Sequence, residues 1–318
     1  MTRARNEQVQ KRKLGNSALH VSVVGLGGNN FGGRLDLAAT RRVVDKALDL
    51  GVTLIDTADS YGRDGASEDC LCRVLGERRK GIVLATKFGM AGPGTLAGAS
   101  RRYIMQAVEA SLKRLRTDWI DLYQLHRPDP ATPIEETLCA LDNLVRHGKV
   151  RFIGCSNLSA LELAEAQATA ARSGLAGFIS CQDQYSLLAR DIERDLIPAM
   201  EAHAVGLLPY FPLASGLLTG KYKRGAAMPE AARLTDSSRH ADRFLSERNW
   251  RIVEALDAFC TRRGRTLIEL AFAWLLARPI VASVIAGAST PEQVEQNVGA
   301  VGWSLSAEDL AEMDRITL

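Results

Sequence analysis

The sequence predicts an α/β barrel of eight strand–helix units, a (β/α)8 fold in one domain. Eight short β-branched or apolar runs recur along the 318 residues, and amphipathic stretches separate most of them. No shift in composition marks a second domain. Eight parallel strands, each followed by a helix, are what a TIM barrel requires, and a barrel of about 250 residues or more is commonly a single unit.

The predicted strands are short and are spaced by about one helix. They cover residues 21–27, 52–56, 82–87, 119–126, 150–157, 177–184, 206–212 and 281–287. Between them apolar residues recur with helical spacing, as at Leu138, Leu141 and Val145. That spacing puts the apolar side chains on one face of a helix, where they can pack against a sheet.

The ends of the helices carry their own signals. A Ser or Thr followed three residues later by Glu or Gln satisfies backbone N–H groups of a first helical turn. This pattern occurs at Thr132/Glu135, Ser159/Glu162, Thr266/Glu269 and Thr290/Gln293. Proline is tolerated at the first helical position and glycine is favoured just after a helix. We therefore expect helices to begin at Pro133 and Pro291 and to end before Gly51, Gly148, Gly174 and Gly264.

A doubly wound sheet is the alternative fold, but its nucleotide-binding signature is missing. No strand is followed by G-x-G-x-x-G, and residues 25–33 have the glycines without the spacing. Residues 216–222 resemble a phosphate-binding loop, yet they are one residue short and have Tyr222 where a magnesium-binding Ser or Thr is needed.

Composition excludes several classes of protein. The 40 basic and 37 acidic residues are mixed along the chain, so the charge pattern indicates neither a nucleic-acid partner nor binding to an acidic surface. Six scattered cysteines without a CxxC predict reduced thiols, no metal site and a cytoplasmic location.

Residues 1–13 are polar and predict a flexible tail rather than a secretory signal. The apolar run 267–288 is interrupted by charged residues and a proline, which favours a buried helix and strand over a membrane span.

Two segments depart from the simple repeat. Residues 213–245 are long, rich in Gly, Lys, Arg and Ser, and weakly periodic. They predict either a lid over the barrel mouth or an ordered surface loop without function. Residues 246–263 predict an extra helix before the last strand–helix unit.

Polar residues stand where the predicted strands end. The strand endings are Asp56, Lys87, His126, Ser156 with Asn157, Gln182, Tyr210 and Gly287, and all but Gly287 carry a polar side chain. The carboxyl ends of barrel strands converge on one mouth, so these side chains are expected to meet there. Alone, each has a structural explanation: Asp56 as a helix cap, Lys87 as a lysine that buries only its stem, and His126 as a hydrogen-bonded histidine before a turn.

Three of these residues, Asp56, Lys87 and His126, form a chemically coherent set together with Tyr61, which follows Asp56 by five residues. A phenol has an ordinary pKa of about 10, and a neighbouring cation such as Lys87 would favour its ionised form. Asp56 would keep Lys87 charged, while His126 would hydrogen-bond a substrate oxygen beside the phenol. Such a set suits proton transfer to a carbonyl oxygen, and the accompanying hydride would come from a cofactor.

The chain resembles the aldo-keto reductase superfamily of NAD(P)H-dependent barrel oxidoreductases, in the branch that includes the β subunits of voltage-gated potassium channels. The resemblance runs over most of the chain, from residue 12 to residue 297. It is carried by DTADSYG (56–62), ATKFG (85–89), DLYQLHRPDP (121–130), GCSN (154–157), QDQYS (182–186), YFPLASGLLTGKY (210–222) and GASTPEQVEQN (287–297). It implies that Tyr61 is the general acid/base, with Lys87 lowering its pKa, Asp56 holding Lys87, and His126 orienting the carbonyl.

The same resemblance implies a dinucleotide site. Ser156, Asn157 and Gln182 would hold the nicotinamide carboxamide, and Tyr210 would stack on the ring. Gly28 and Asn29 would lie near the ribose. The pyrophosphate would be lined by Phe211, Pro212, Leu213, Ala214, Ser215, Leu217 and Lys221, and the adenosine end by Gly287, Ser289, Gln293, Gln296 and Asn297.

Three positions depart from the pattern of many relatives. Gly287 replaces a lysine and Gln293 an arginine that grip the 2′-phosphate of NADP, and Phe211 replaces a serine, which removes a polar contact. Ser289 remains as a donor. Lys221 or one of Arg224, Arg233, Arg239 and Arg243 would restore the lost charge, so NADP is expected ahead of NAD.

The resemblance implies reversible reduction of an aldehyde or ketone, with a small carbonyl or alcohol substrate and no nucleic-acid or membrane partner. A cofactor-binding regulatory subunit that acts through a protein partner is the alternative. Residues 88–102 are rich in glycine and predict a flexible, roomy wall of the substrate pocket. The sequence assigns no oligomeric state.

Overall fold

The computed structural model describes residues 9–90, 98–230 and 232–318. Its strands are β1 (Lys11–Lys13), β2 (His20–Ser22), β3 (Val24–Gly27), β4 (Leu54–Asp56), β5 (Val83–Phe88), β6 (Ile120–Leu125), β7 (Val150–Ser156), β8 (Ser180–Gln184), β9 (Gly206–Tyr210) and β10 (Val284–Gly287). Its helices are α1 (Leu37–Asp49), α2 (Ala66–Leu75), α3 (Arg101–Leu115), α4 (Ile134–Arg146), α5 (Ala160–Ser173), α6 (Leu196–Ala202), α7 (Arg233–Asp236), α8 (Ser238–Phe244), α9 (Glu247–Arg262), α10 (Leu267–Leu276), α11 (Pro291–Gly299) and α12 (Ala307–Thr317). Short 3-10 turns cover Gly76–Gly81, Asp191–Glu193 and Ala214–Thr219.

Strands β3 to β10 form one parallel eight-stranded sheet. Its two edges, β9 and β10, approach through a parallel bridge between Leu207 and Val281. The N–H of Leu207 donates to the Ile280 carbonyl at 2.8 Å, and the Ala282 N–H donates to the Leu207 carbonyl at 3.1 Å. The sheet therefore closes on itself, and the predicted (β/α)8 barrel is confirmed.

Each of the eight predicted strands corresponds to one barrel strand. The outward side chains of the barrel, such as Ile55, Leu84 and Ile153, belong to the large apolar core shared with the surrounding helices. A second, smaller cluster fills the barrel interior and includes Leu54 and Leu122. This division follows from the alternation of side chains along a strand.

The expectation of a flexible tail over residues 1–13 is wrong for residues 11–13, which form strand β1, and residues 1–8 lie outside the described residues. Lys11 to Lys13 pair antiparallel with His20 to Ser22. The guanidinium of Arg12 donates to the carbonyls of Val281 at 2.9 Å and Leu276 at 2.8 Å. The basic strand β1 is thus held in place because the Arg12 guanidinium satisfies backbone carbonyls at the closed end of the barrel.

Most predicted helix ends are confirmed, with three differences. Ser159 and Thr266 form complete capping boxes with Glu162 and Glu269. Thr290 caps α11, but the Gln293 side chain accepts from the N–H of Ser289 rather than from that of Thr290.

The expected box at Thr132 and Glu135 is wrong, and Pro133 precedes the first residue of α4 instead of beginning the helix. The Thr132 hydroxyl donates to the carboxylate of Asp129 at 2.7 Å. The Thr132 side chain thus belongs to the turn at Asp129 rather than to a cap of α4.

The segment 213–245 lies over the barrel mouth. It contains the 3-10 turn, α7 and α8, and it lines the large cavity described below. The predicted extra helix is confirmed as α9. Within the three described ranges, no helix combines the length and the apolar character needed to cross a membrane.

Gly15 closes the bottom of the barrel and has no room for a side chain. Its φ is +52°, and an added Cβ would lie 2.2 Å from the carbonyl oxygen of Ile179 and 2.9 Å from that of Ala204. Gly264, which follows α9, has a similar φ of +61° and nothing within 4 Å of an added Cβ.

We expect Gly15→Ala to be more destabilising than Gly264→Ala. Both changes place alanine in the left-handed region, which costs about 1–2 kcal/mol. Only Gly15→Ala adds a clash with backbone, worth about 1–3 kcal/mol more. The measurement is the urea concentration at half-unfolding for the two variants, and equal shifts would contradict a tightly packed barrel bottom.

Candidate active site

A fully buried ion pair lies at the floor of the barrel mouth. Lys87 is the penultimate residue of β5 and Asp56 is the last residue of β4. The Lys87 ammonium donates to both carboxylate oxygens of Asp56, at 2.8 and 2.6 Å, and to the carbonyl of Thr57 at 2.9 Å. All three donors of the ammonium are therefore directed at acceptors. Burial by itself lowers the pKa of Lys87, but the charge of Asp56 and its hydrogen bonds to the ammonium outweigh burial, and the pKa is raised.

Two amides complete the surroundings of the Asp56 carboxylate. Gln182 Nε2 donates to Asp56 Oδ1 at 3.0 Å, and Gln124 Nε2 donates to the same oxygen at 3.3 Å. Gln124 was not predicted as a site residue. Gln124 is on β6, two residues before His126. The alternation of side chains along a strand puts both residues on the same inward face, so the sequence could have identified Gln124.

Tyr61 follows β4 on a loop and brings its phenol to the same lysine. The Lys87 Nζ lies 3.4 Å from the Tyr61 hydroxyl oxygen and 4.8 Å from the centre of its ring. Burial raises the pKa of Tyr61, and the nearby Lys87 lowers it by less, so the net pKa lies above its ordinary value. The lowering effect of Lys87 agrees with the prediction, but burial outweighs it. The phenol is protonated at neutral pH, and Lys87 makes it more acidic than the same buried phenol would be without a cation.

His126 stands beside Tyr61, with ring centres 5.7 Å apart and planes at 76°. Its backbone N–H donates to the Phe88 carbonyl at 2.8 Å, which fixes the residue against the end of β5. Burial, together with the charges of Lys87 and Arg127, lowers the pKa of His126 to about 3. The imidazole is therefore neutral near pH 7. Its Nδ1 is buried without a hydrogen-bond partner among the described residues.

A second set of polar side chains links the ends of β7, β8 and β9. Ser156 Oγ donates to the Gln182 carbonyl at 2.8 Å. Asn157 Nδ2 donates to the His126 carbonyl at 3.0 Å, and Asn157 Oδ1 accepts from the Tyr210 hydroxyl at 2.8 Å. Hydrogen bonds thus tie four neighbouring strand ends together next to the four candidate catalytic residues.

Above these residues opens a cavity of about 1230 Å³. Predicted site residues that line it are Asn29, Asp56, Tyr61, His126, Ser156, Asn157, Gln182, Tyr210, Phe211, Pro212, Leu213, Ser215, Lys221, Gly287, Ser289, Gln293, Gln296 and Asn297. Lys87 lies below, out of contact with solvent.

Three predicted cofactor residues do not line this cavity. Gly28 is held inward, since its N–H donates to the Asp56 carbonyl at 2.7 Å and its own carbonyl accepts from Ser67. Ala214 and Leu217 are fully buried in the outer apolar core. The turn after β9 has positive φ at Ala214 and Ser215, which sends neighbouring side chains in directions that a regular repeat would not predict.

Phe211 organises the segment that covers the cavity. Its ring makes edge contacts with those of Tyr210, His240 and Phe244, at centre distances of 5.3, 5.5 and 5.9 Å. The guanidinium of Arg243 lies 5.9 Å from the same ring and also contacts Gln184 at the end of β8. Phe211, which stands where the family resemblance implies a serine, therefore anchors α8 over the mouth through aromatic packing.

Four of the six basic residues of the covering segment face the cavity, and Lys223, which pairs with Asp257 at 3.0 Å, and Arg224 do not. Lys221, Arg233, Arg239 and Arg243 line it. Arg224 instead pairs with Glu247 at 3.2 Å and Glu254 at 3.1 Å, away from the cavity. Arg233 contacts Asn30 Oδ1, and Asn30 Nδ2 donates to Ser289 Oγ at 3.4 Å. Asn30, unpredicted from the sequence, thus connects Arg233 to the start of α11.

The structure describes only part of the predicted wall of the substrate pocket. Residues 91–97, within the predicted flexible wall 88–102, lie outside the described residues, whereas Met90 lines the cavity. The six cysteines are free. Among the described residues, no cluster of His, Cys, Asp and Glu could hold a metal ion.

Comparison with known proteins agrees with this architecture. The model of the aldo/keto reductase family matches residues 23–317. A probable voltage-gated potassium channel subunit beta from Arabidopsis thaliana is 38% identical over 301 residues, covering 92% of this chain and 91% of that protein. The uncharacterized oxidoreductase YrpG of Bacillus subtilis is 36% identical over 315 residues, 95% of this chain and 94% of its own.

A third relative is the L-glyceraldehyde 3-phosphate reductase of Escherichia coli, which is 34% identical over 322 residues, 97% of this chain and 92% of its own. The family model spans nearly the whole barrel, and the relatives match along almost their full length. The chain belongs to the aldo/keto reductase family of oxidoreductases.

Proposed function

We propose that the protein reversibly reduces an aldehyde or ketone to an alcohol with NADP(H), using Tyr61 as general acid/base. One observation carries this proposal: the Tyr61 hydroxyl lies 3.4 Å from the ammonium of Lys87 at the floor of a large cavity. A protonated phenol next to a fixed cation can give up its proton as charge develops on a substrate oxygen.

The cavity has the size and the donors that a dinucleotide needs. Its volume of about 1230 Å³ exceeds that of ordinary small-ligand pockets, which are roughly 300–1,000 Å³. Lys221 and Arg233 supply positive charge along one side, and Ser289 stands just before α11, whose N-terminus favours a phosphate. When bound, the nicotinamide would supply the hydride for the carbonyl carbon.

The residues of the chain would supply the rest of the chemistry. The neutral imidazole of His126 can donate a hydrogen bond to the carbonyl oxygen and hold it next to Tyr61. As the phenol transfers its proton to that oxygen, the phenolate that forms is stabilised by Lys87. Asp56 keeps Lys87 charged throughout and does not itself move a proton. In the oxidative direction the phenolate takes the proton back.

Tyr61→Phe is expected to reduce kcat/KM for aldehyde reduction about 10²–10⁴-fold, the usual contribution of a general acid. The control is Tyr123→Phe, because the Tyr123 hydroxyl is buried without a hydrogen-bond partner among the described residues and its ring packs on Phe88 outside the cavity. Rates with NADPH and a panel of reactive aldehydes test this. Equal rates for wild type and Tyr61→Phe would remove Tyr61 from the mechanism.

The pH dependence of reduction should carry no ionisation of His126 between about pH 5 and 8, where an ordinary histidine titrates. Its pKa is lowered to about 3, so the imidazole is already neutral throughout this range. The raised pKa of Tyr61 keeps the acid protonated until alkaline pH, where reduction should fall and oxidation should rise. The check is kcat/KM for an uncharged aldehyde against pH. A limb near pH 6.5 that disappears in His126→Asn would contradict a neutral imidazole.

Preference for NADP over NAD is part of the proposal. Gly287 and Gln293 supply no charge at the adenosine end, where many relatives have a lysine and an arginine. Arg233 supports the preference, because Asn30 connects its guanidinium to Ser289. Charge-assisted bonds from this arginine and the Ser289 hydroxyl are the contacts we assign to the 2′-phosphate.

Arg233→Gln is therefore expected to weaken NADPH binding about tenfold or more and NADH binding less, since a charged hydrogen bond contributes about 1.5–3 kcal/mol. Arg224→Gln is the matched control, because that guanidinium pairs with glutamates away from the cavity. Fluorescence titration of both nucleotides measures the change. An unaltered ratio of the two affinities would assign Arg233 to another part of the nucleotide.

A regulatory subunit is the second candidate function. The relatives from Arabidopsis thaliana and Schizosaccharomyces pombe are named as potassium channel β subunits, probable and putative respectively. Binding of NADPH without measurable turnover on any aldehyde, together with a co-purified membrane partner, would favour it. We further propose a cytoplasmic location, in keeping with six free cysteines.

A further inference from the structure

The walls of the cavity carry more positive charge than the candidate catalytic chemistry uses. Its basic lining residues are Arg34, Arg127, Lys221, Arg233, Arg239 and Arg243. Among the described residues, Asp56 is the one carboxylate that lines the cavity, and it is bound to Lys87. A site with this balance attracts anions.

The basic residues of the cavity wall have different neighbours. Burial lowers the pKa values of Lys221 and Arg233, and the like charge of Arg34 lowers both further, so these three residues lie near one another. We assign this group to the nucleotide phosphates, although the charge of Arg233 also reaches Tyr61. Arg127 follows His126 directly in the chain, and both residues line the cavity. Arg127 therefore lies beside the candidate catalytic residues.

The backbone at Arg127 is held in place on both sides. The His126 N–H donates to the Phe88 carbonyl at 2.8 Å, and the His126 carbonyl accepts from Asn157 Nδ2 at 3.0 Å. Pro128 restricts the preceding residue to extended conformations. The base of the Arg127 side chain is thus fixed relative to the candidate proton donor, which lowers the entropy lost when a ligand binds.

The guanidinium of Arg127 has no partner within the described part of the chain. The nearest acid in sequence, Asp129, accepts from the Ala99 N–H at 2.7 Å, the Ala131 N–H at 3.0 Å and the Thr132 hydroxyl at 2.7 Å. Arg127 is exposed at the cavity wall. Arg243, by contrast, already contacts Gln184 and the rings of Phe211 and Phe244.

We propose that Arg127 is a specificity residue that binds a carboxylate or phosphate group of the substrate while the carbonyl faces Tyr61 and His126. This inference rests on the proposed carbonyl reduction and narrows its substrate class to anionic carbonyl compounds. An arginine suits both groups, because its planar guanidinium donates two parallel hydrogen bonds to either oxyanion.

Matched substrates test this inference. 4-Formylbenzoate is compared with its methyl ester, and 4-formylphenyl phosphate with 4-methoxybenzaldehyde, so that each pair differs mainly in charge. For the wild type we expect higher kcat/KM on the anionic member of at least one pair, and the pair with the larger ratio identifies carboxylate or phosphate as the preferred group. In Arg127→Gln that ratio should fall about tenfold or more, as expected when a charged hydrogen-bond donor is lost. In Arg127→Lys it should fall less.

The control is Arg102→Gln, which removes an exposed arginine of α3 that does not line the cavity, and should keep the wild-type ratio. Equal losses on both members of each pair in Arg127→Gln, or no change in either ratio, would overturn the assignment of Arg127 while leaving carbonyl reduction intact. Absence of wild-type turnover on all four aldehydes, with NADPH bound, would instead overturn the proposed function and this inference with it.

Discussion

The buried ion pair between Lys87 and Asp56 is the interaction on which the rest of the candidate site depends. A lysine without solvent contact would ordinarily lose its proton, since burial disfavours the charged form. Here two carboxylate oxygens and the Thr57 carbonyl accept its three donors, while two glutamine amides satisfy the carboxylate further. Removing one partner of such a pair typically costs about 3–5 kcal/mol, so the charge and its position are strongly enforced.

The closed barrel is what allows this ion pair to form. β4 and β5 are neighbours in the sheet, so the residues at their carboxyl ends face the same mouth. Tyr61 comes from the loop that follows β4, and His126 from the end of β6. Each group is held by a different strand, and the rigid sheet sets the distances between them. The pairing of β4 with β5 therefore brings the phenol of Tyr61 next to the ammonium of Lys87.

Much of the fold and site could be predicted from the sequence, for physical reasons that also explain the misses. Asp56, Lys87 and His126 stand where apolar strands end, and strand alternation makes such residues visible. The hairpin of Lys11 to Lys13 was missed because a three-residue strand of charged side chains carries no apolar period. The inward burial of Ala214 and Leu217 was missed because left-handed backbone angles after β9 break any regular repeat. The net pKa of Tyr61 needed the extent of its burial, which spacing cannot report.

The hydrogen bonds that join the strand ends hold the candidate catalytic residues independently of the segment that covers the cavity. Ser156, Asn157 and Tyr210 link β7, β8 and β9 to the backbone of His126 without involving the covering segment 213–245. Insertions and substitutions in the surface loops can therefore accumulate with little displacement of the proton donor. Such an arrangement lets descendants of one ancestral barrel acquire new substrates while they inherit the same reaction chemistry.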